Sequence, residues 1–560
     1  MKNKIFSIIT VAILLLSTTS CIKEIDPQNN YATVEQVSNA PGAFDNAVNA
    51  IFSTLCGQFP LQGNNSRPRD MGMPSLIIQR DVMGQDVVYP YLNWFSAQYA
   101  CQYLGPSYIY CQFPWSYYYK WIRSCNEVIN MAGTSPSDNQ KAGAGTAYAM
   151  RAMFYMDLAR LYANKPYAVD KDAETVPIVN EGTSVSALTS NPRATNEDMW
   201  AFILSDLDKA ESLLSDYTRT DKTKPDQSVV YGLKARAYLE MEDWANAKKY
   251  AKLAQAGYAI MTPEQYTDWD TGFNTPNDSW MLCLQYKSDD PAILENDADT
   301  SWGSMMCIEI NPTVSGCGYA ANYGQPFLID RHLYESIPET DCRKDCYIDF
   351  AIDDLPTDAA KVEAMKVYGN HPDWLLNTGK VIEGYKKVGG LELKFRTAGG
   401  EAGRNNQYIG FVVAVPLMRV EEMYLIEAEA AGMLNESEGI QLLTAFAKNR
   451  DASYDYQTST HGNESYYNNA TGKFRNEVWW QRRIEFWGEG LATFDIKRLQ
   501  KGIIRSYSGT NHVDGYQWNV ESVPQWMNFC IVQTETNYNT ACTNNPDPIA
   551  PTGNSAPYSW

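Results

Sequence analysis

Residue types able to do acid–base, nucleophilic or metal chemistry are sparse in this chain, carboxylates apart. Only four histidines occur, His332, His371, His461 and His512. They are far apart and in polar surroundings, which predicts surface or turn positions rather than a paired general base. Cys342 and Cys346 form a CxxxC with no second pair or histidine nearby, so two buried thiols or a disulfide fit better than zinc. Arg482, Glu485, Glu489, Asp495 and Arg498 could converge on a helix, where two glutamates four apart repel unless cations intervene. Arginines supply that compensation, so the run predicts a structural ion-pair network. No catalytic residue and no metal ligand is assigned. HExxH, G-x-S-x-G, CxxC, a complete GxGxxG and a P-loop are all missing. A glycosidase needs only two carboxylates, and 66 Asp and Glu leave that alternative open by count.

What the chain has in excess is flat amphipathic surface, 37 Tyr and 15 Trp. A sugar ring offers an apolar C–H face and a hydroxyl edge, so a glycan site needs flat rings flanked by amides, hydroxyls or guanidinium groups. Two stretches carry that mixture. One runs Tyr89-Pro90-Tyr91-Leu92-Asn93-Trp94-Phe95 and on to Tyr99, Tyr103 and Tyr108; the other runs from Trp302 through Asn311 to Tyr319, Asn322, Tyr323 and Gln325. Tyr91, Asn93, Trp94, Trp302, Tyr319 and Tyr323 are the candidate ligand contacts, with burial the alternative for Trp94 and Trp302. Trp269, Phe273 and Trp280 fit core packing about as well as a site. No cofactor is expected.

These segments need a frame. Ala47, Ala50, Ile51 and Leu55 recur at helical spacing, as do Trp115, Tyr119, Ile122, Asn126 and Ile129, and again Ala149, Ala152, Met153, Met156 and Ala159. Ala235-x-x-Tyr238, then Asp243-Trp244 and Ala247, Ala251 and Ala254, reads as a tetratricopeptide-like pair whose small residues let two helices approach. Ala152-x-x-Tyr155 and the stretch from Tyr424 to Ala431 repeat the pattern more weakly. From Tyr258 to about Gly410 the period is lost among Pro, Gly, Asn, Asp and isolated aromatics, and loops of such length are functional. The fold predicted is mainly α: a tetratricopeptide-like helical-pair scaffold over about 43–257 and 411–500, carrying a large loop-rich inserted layer over about 258–410. A C-terminal segment, 501–560, completes one domain that starts at residue 43.

Composition narrows the partners. With 560 residues and 44% hydrophobic content the chain can bury a sizeable core. A net charge of −20 without any run of Lys and Arg repels phosphate backbones and anionic headgroups, so nucleic acid is excluded as a partner. Lys2 and Lys4, an apolar run from Ile5 to Leu16 and small residues to Ser20 predict an export signal over 1–20, too short to span a bilayer. Cys21 resembles the cysteine of a lipoprotein box, although Thr18 stands where leucine is usual. Lipidation is therefore expected at Cys21, with residues 21–42 a tether. The charged residues straight after Cys21 resemble signals for the outer face of an outer membrane. Among the eleven other cysteines, Cys307 with Cys317 and Cys530 with Cys542 are the sequence-local choices for pairing.

Several segments together resemble the SusD/RagB family. The clearest is Arg482-Arg483-Ile484-Glu485-Phe486-Trp487-Gly488-Glu489-Gly490, closing on Phe494-Asp495-Ile496-Lys497-Arg498 along one expected helix. Others are Pro416 through Arg419, Glu421 and Tyr424 to Ala430; Arg151-Ala152 through Tyr162 to Pro166; Asp81-x-x-Gly84-x-Asp86; Trp115 through Asn126; and Glu535-Thr536-Asn537 before Asn545-Pro546. They stand in the family's order over nearly the whole chain. Gly488, where the family tends to have an aromatic, and Val532, where proline is common, are departures that touch packing. The resemblance implies a lipid-anchored, surface-exposed protein of the outer membrane that does no chemistry. It would capture oligosaccharide for a SusC-like TonB-dependent transporter, with aromatics of an early segment and of the loop-rich middle forming the ligand surface. Binding of peptide or another nutrient in the same import system stays open, as does a surface glycoside hydrolase.

Overall fold

A computed structural model describes residues 40–58, 70–90, 94–294, 300–314, 316–381, 387–463 and 471–560. Helix α1 (Ala43–Phe52) leads, and α2 (Met73–Val82) is buried along its whole length. The aromatic stripe of α3 (Ile109–Ala132) turns Trp115, Tyr118, Trp121, Ile122 and Ile129 inward at three- and four-residue steps. It packs on α4 (Asp138–Tyr162), which Ser137 and Gln140 open with a capping box. Thr195 caps α5 (Asn196–Leu213) by accepting from Asp198 N at 3.1 Å, and α5 lies along α4.

Two helical hairpins follow the expected pairing. Helices α6 (Gln227–Glu240) and α7 (Trp244–Ala254) are joined by a three-residue turn in which Glu242 takes φ 54° and Asp243 caps Asn246 N. Ala247, Ala251 and Ala254 are all fully buried, as small residues at a close crossing must be. Past the middle layer, α8 (Val420–Leu434) and α9 (Glu436–Ala447) turn at Asn435. Their backbones meet at Gly432 and Gly439: a Cβ on Gly439 would lie 2.3 Å from Gly432 Cα. Helix α7 packs on α8, and Arg236 of α6 forks onto Glu422 of α8, which joins the hairpins.

The run expected as one helix from Arg482 to Arg498 is two. Helix α10 (Gly472–Glu485) stops, Gly488 (φ 78°) and Gly490 (φ 76°) turn the chain, and α11 (Ala492–Arg498) restarts. No side chain fits at either glycine. A Cβ would lie 2.6 Å from the Phe395 ring at Gly488 and 2.8 Å from the Arg80 guanidinium at Gly490.

Strand β2 (Trp280–Gln285) pairs antiparallel with β4 (Ala414–Arg419), Gln285 facing Ala414, so residues 286–413 leave and re-enter the scaffold side by side. Between them, β3 (Leu328–Ile329) pairs with β1 (Val87–Val88), tying the early segment to this layer. Aperiodic in sequence, the layer still has its own core, in which Val88, Ile308, Leu328, Ile348, Met365 and Leu391 pack together.

The C-terminal third closes on α2. Arg483 grips Asp86, Gly490 N donates to Asp81 at 2.8 Å, and Trp526 donates to Met83 O at 3.1 Å. Arg505, fully buried, gives its guanidinium hydrogens to the carbonyls of Val82, Gly84 and Tyr99. The Val82 carbonyl, at the C-terminus of α2, has no partner within the helix.

Candidate functional site: an aromatic surface beside a sealed charge network

Glu485 ends α10 and Glu489 sits in the break itself, between Gly488 and Gly490, and cations from distant segments bridge the two. Glu485 accepts from Arg450 Nε at 2.9 Å and Arg419 Nη1 at 3.1 Å, with Arg343 Nη1 at 3.4 Å. Glu489 takes Arg419 at 2.8 and 2.9 Å and Lys394 Nζ at 2.7 Å. Glu421 and Asp341 complete a set in which four cations face four carboxylates. Burial alone would raise the Glu485 carboxyl, but Arg450 and Arg419 hold it well below the usual range. Arg482 and Arg498 share Asp495, and Arg498 and Arg475 share Glu429. Beside Asp81, Asp86, Arg482, Arg483 and Asp495 there is a void of only about 10 Å³, space for at most one water. The expected structural network is present and buried: Arg482 and Arg498 of the run pair with Asp495, while the cations on Glu485 and Glu489 are Arg343, Lys394, Arg419 and Arg450, which the run itself does not contain.

The histidines divide. His371 stacks on Trp374 with ring centroids 3.5 Å apart, His461 on Trp480 at 3.6 Å and His332 on Trp560 at 3.7 Å. His512, expected at a turn or surface, is instead 3% exposed, with Nδ1 2.7 Å from Tyr99 OH and Nε2 3.0 Å from Gln85 O. Burial lowers its pKa against the opposing effect of Asp330. The sequence-local cysteine pairs do not form either: Cys307, Cys530 and Cys542 are free thiols. Cys530 Sγ points to Pro546 O and Cys542 Sγ to Thr543 O, so short separation in sequence does not align the two sulfurs. Cys342 and Cys346 are free thiols in a short 3₁₀ helix, Cys346 buried. Among the described residues, no group of three or more His, Cys, Asp or Glu stands close enough to hold a metal ion.

Three of the six candidate contacts come together. The Trp94 ring is 5.9 Å from Tyr319, and Tyr319 is 5.0 Å from Tyr323. Trp94 is half-buried, Tyr319 is 5% exposed at the base and Tyr323 is 47% exposed at the rim. Trp94 stands just ahead of the short helix Ser96–Tyr99, while Tyr319 opens the helix Tyr319–Asn322 after Gly318. Gly318 takes φ 83° and fits against the Phe411 ring, where a Cβ would lie 2.6 Å away. Trp302 is not part of this surface. It is 1% exposed, set edge-on to Phe395 at 5.0 Å, because its helix Trp302–Met306 is buried on every side. Phe273 and Trp280 are core residues as well. Tyr91 and Asn93 lie outside the described residues.

Sequence reasoning missed a cleft of about 560 Å³ on the far side of Pro90, lined by Arg331, Phe350, Asp353, Asp354, Lys387 and the loop 509–514. Its residues come from five separate segments with no common motif, Arg331 from a short α-helix and Phe350 to Asp354 from a 3₁₀ helix. The clustered aromatic rings lie outside it.

The architecture is that of a helical-pair scaffold with a loop-built layer hung from a β-ribbon, and solved structures share it. A SusD-like carbohydrate binding protein from Bacteroides vulgatus is 22% identical, with TM-score 0.67 over 90% of this chain and 97% of that one. A SusD superfamily protein from Bacteroides thetaiotaomicron is 19% identical, TM-score 0.63, over 90% and 99%. A laminarin binding SusD-like protein is 15% identical, TM-score 0.58, over 90% and 98%. No curated protein matches the sequence. Residues 79–239 match a SusD-like family described as starch-binding and associating with the outer membrane, and residues 318–547 match the SusD family proper. The chain belongs to the SusD/RagB family.

Proposed function

We propose that this protein is a surface lipoprotein that binds oligosaccharide and hands it to a SusC-like TonB-dependent transporter without cleaving it. The observation that carries the reading is the convergence of Trp94, Tyr319 and Tyr323, from segments more than two hundred residues apart, into one graded aromatic surface. Rings offered at that spacing suit the C–H faces of successive sugars. Each stacked ring adds about 0.5–1.5 kcal/mol beyond area burial, so a few give affinity of micromolar order or weaker, which suits a protein that must release its ligand. The family's description as starch-binding and the laminarin-binding relative support the ligand class. Arg482, Glu485, Glu489 and Asp495, the charged residues with catalytic spacing, are sealed in ion pairs, which supports binding without turnover. Lipidation at Cys21 would hold the protein at the outer membrane beside its transporter.

Calorimetry on a glycan panel tests the reading. Trp94→Ala with Tyr323→Ala should abolish measurable binding of the best ligand at unchanged melting temperature, and prolonged incubation should release no reducing ends. Full binding by the double variant, or hydrolysis products from the pure protein, would overturn it.

A further inference from the structure

The cleft past Pro90 is framed rigidly. Asp353 accepts from the amides of Val388 and Gly389 at 2.8 and 3.2 Å. Asn511 accepts from Arg331 N and donates to Ile329 O, both at 2.9 Å, and the Thr510 hydroxyl donates to Arg505 O at 2.8 Å. His512 is pinned on both ring nitrogens. Pro90 gives a little flat apolar area, and the Arg331 guanidinium lies 5.2 Å over the Phe350 ring, itself only 9% exposed. Asp354 and Lys387 are exposed in the same concavity. A preformed hollow with a little flat apolar surface and convergent donors and acceptors is what a polyhydroxylated ligand needs.

We propose that this cleft receives the part of a neutral oligosaccharide that runs on past Trp94, so that the protein selects uncharged glycans longer than the aromatic cluster alone can hold. The inference rests on the glycan-binding reading above. Continuity comes from the chain: Pro90 lines the cleft and Trp94 belongs to the cluster, and four residues span at most about 14 Å. Neutrality comes from the charges. Arg331 and Lys387 face three carboxylates, Asp353, Asp354 and Asp514. Hydroxyls can accept from the cations and donate to the carboxylates, whereas an acidic sugar meets a net negative wall inside a protein of charge −20.

The test is calorimetry with β-1,3- and α-1,4-linked gluco-oligosaccharides of increasing length, and with oligogalacturonides as the acidic series. Affinity of the wild type should climb with length in the neutral series and be absent in the acidic one. Asp354→Ala with Lys387→Ala, both at exposed positions, should leave short oligomers within about two-fold and cost long ones about ten-fold, the equivalent of one charge-assisted hydrogen bond. Unchanged affinity at every length, equal losses at all lengths, or tighter binding of oligogalacturonide would each overturn the proposal while the aromatic site stands. Should the wild type bind no member of the neutral series, the glycan reading falls and this one with it.

Discussion

Trp94 and Trp302 carry the same side chain in opposite circumstances, one half-buried at the aromatic surface and the other edge-on to Phe395 in the core. Trp302→Ala should therefore lower stability by about 3–5 kcal/mol and act on ligand only through unfolding. Chemical denaturation reads the first effect, and calorimetry on the remaining folded protein the second. Glu485→Ala strips the shared carboxylate from Arg343, Arg419 and Arg450 and should cost about 3–5 kcal/mol. Loss of ligand binding at an unchanged melting temperature would show that Glu485 serves the ligand instead. Burial would raise the carboxyl of Glu429, but Arg498 and Arg475 outweigh it and hold the pKa at about 2. Because the folded value lies below the ordinary one of 4.5, this stabilisation, about 3 kcal/mol, is complete above pH 4.5 and is lost as pH falls towards 2. Glu429→Gln should thus be less stable than wild type at pH 7 and approach it near pH 2.5; a gap constant with pH would contradict the assignment. That charged residues cluster at 482–498 was legible in the sequence. Their partners were not, since Asp86 lies 397 residues from Arg483 and no local rule connects them.

Helices whose apolar or small residues recur at three- and four-residue steps were the legible ones: α1, α3, α4 and the hairpin of α6 and α7 hold the residues read at that spacing, whereas α5, eighteen residues long, was not read. The middle layer was unreadable because its helices run mostly four to ten residues, too short for a period to emerge. The break between α10 and α11 hid inside a strong charge pattern, and only Gly488 and Gly490 announced it. At the crossing of α8 and α9, Gly439→Ala would push a methyl group into Gly432 Cα. The expected outcome is a loss of about 1–3 kcal/mol with helical circular dichroism retained. An unchanged melting temperature would mean that the hairpin separates without cost.

For the molecule as a whole, the early segment and the middle layer meet at the aromatic surface because the β1–β3 pair sets Trp94 beside the layer that carries Tyr319. Attachment to the membrane is an expectation from a pattern ending at Cys21, which lies outside the described residues. Cys21→Ser should leave the protein unlipidated and missing from the outer-membrane fraction; unchanged fractionation and lipid labelling would disprove the anchor. The closing of the C-terminal third over α2 also sets a timetable. Asp81, Val82, Met83, Gly84 and Asp86 receive their partners from Arg483, Gly490, Arg505 and Trp526, four hundred residues or more downstream of most of them. A chain emerging N-terminus first cannot satisfy α2 until nearly all of it has appeared, and contacts so distant in sequence form late. The first helices of the scaffold therefore stay unfinished until the last residues arrive, so the N-terminal half has no complete fold of its own.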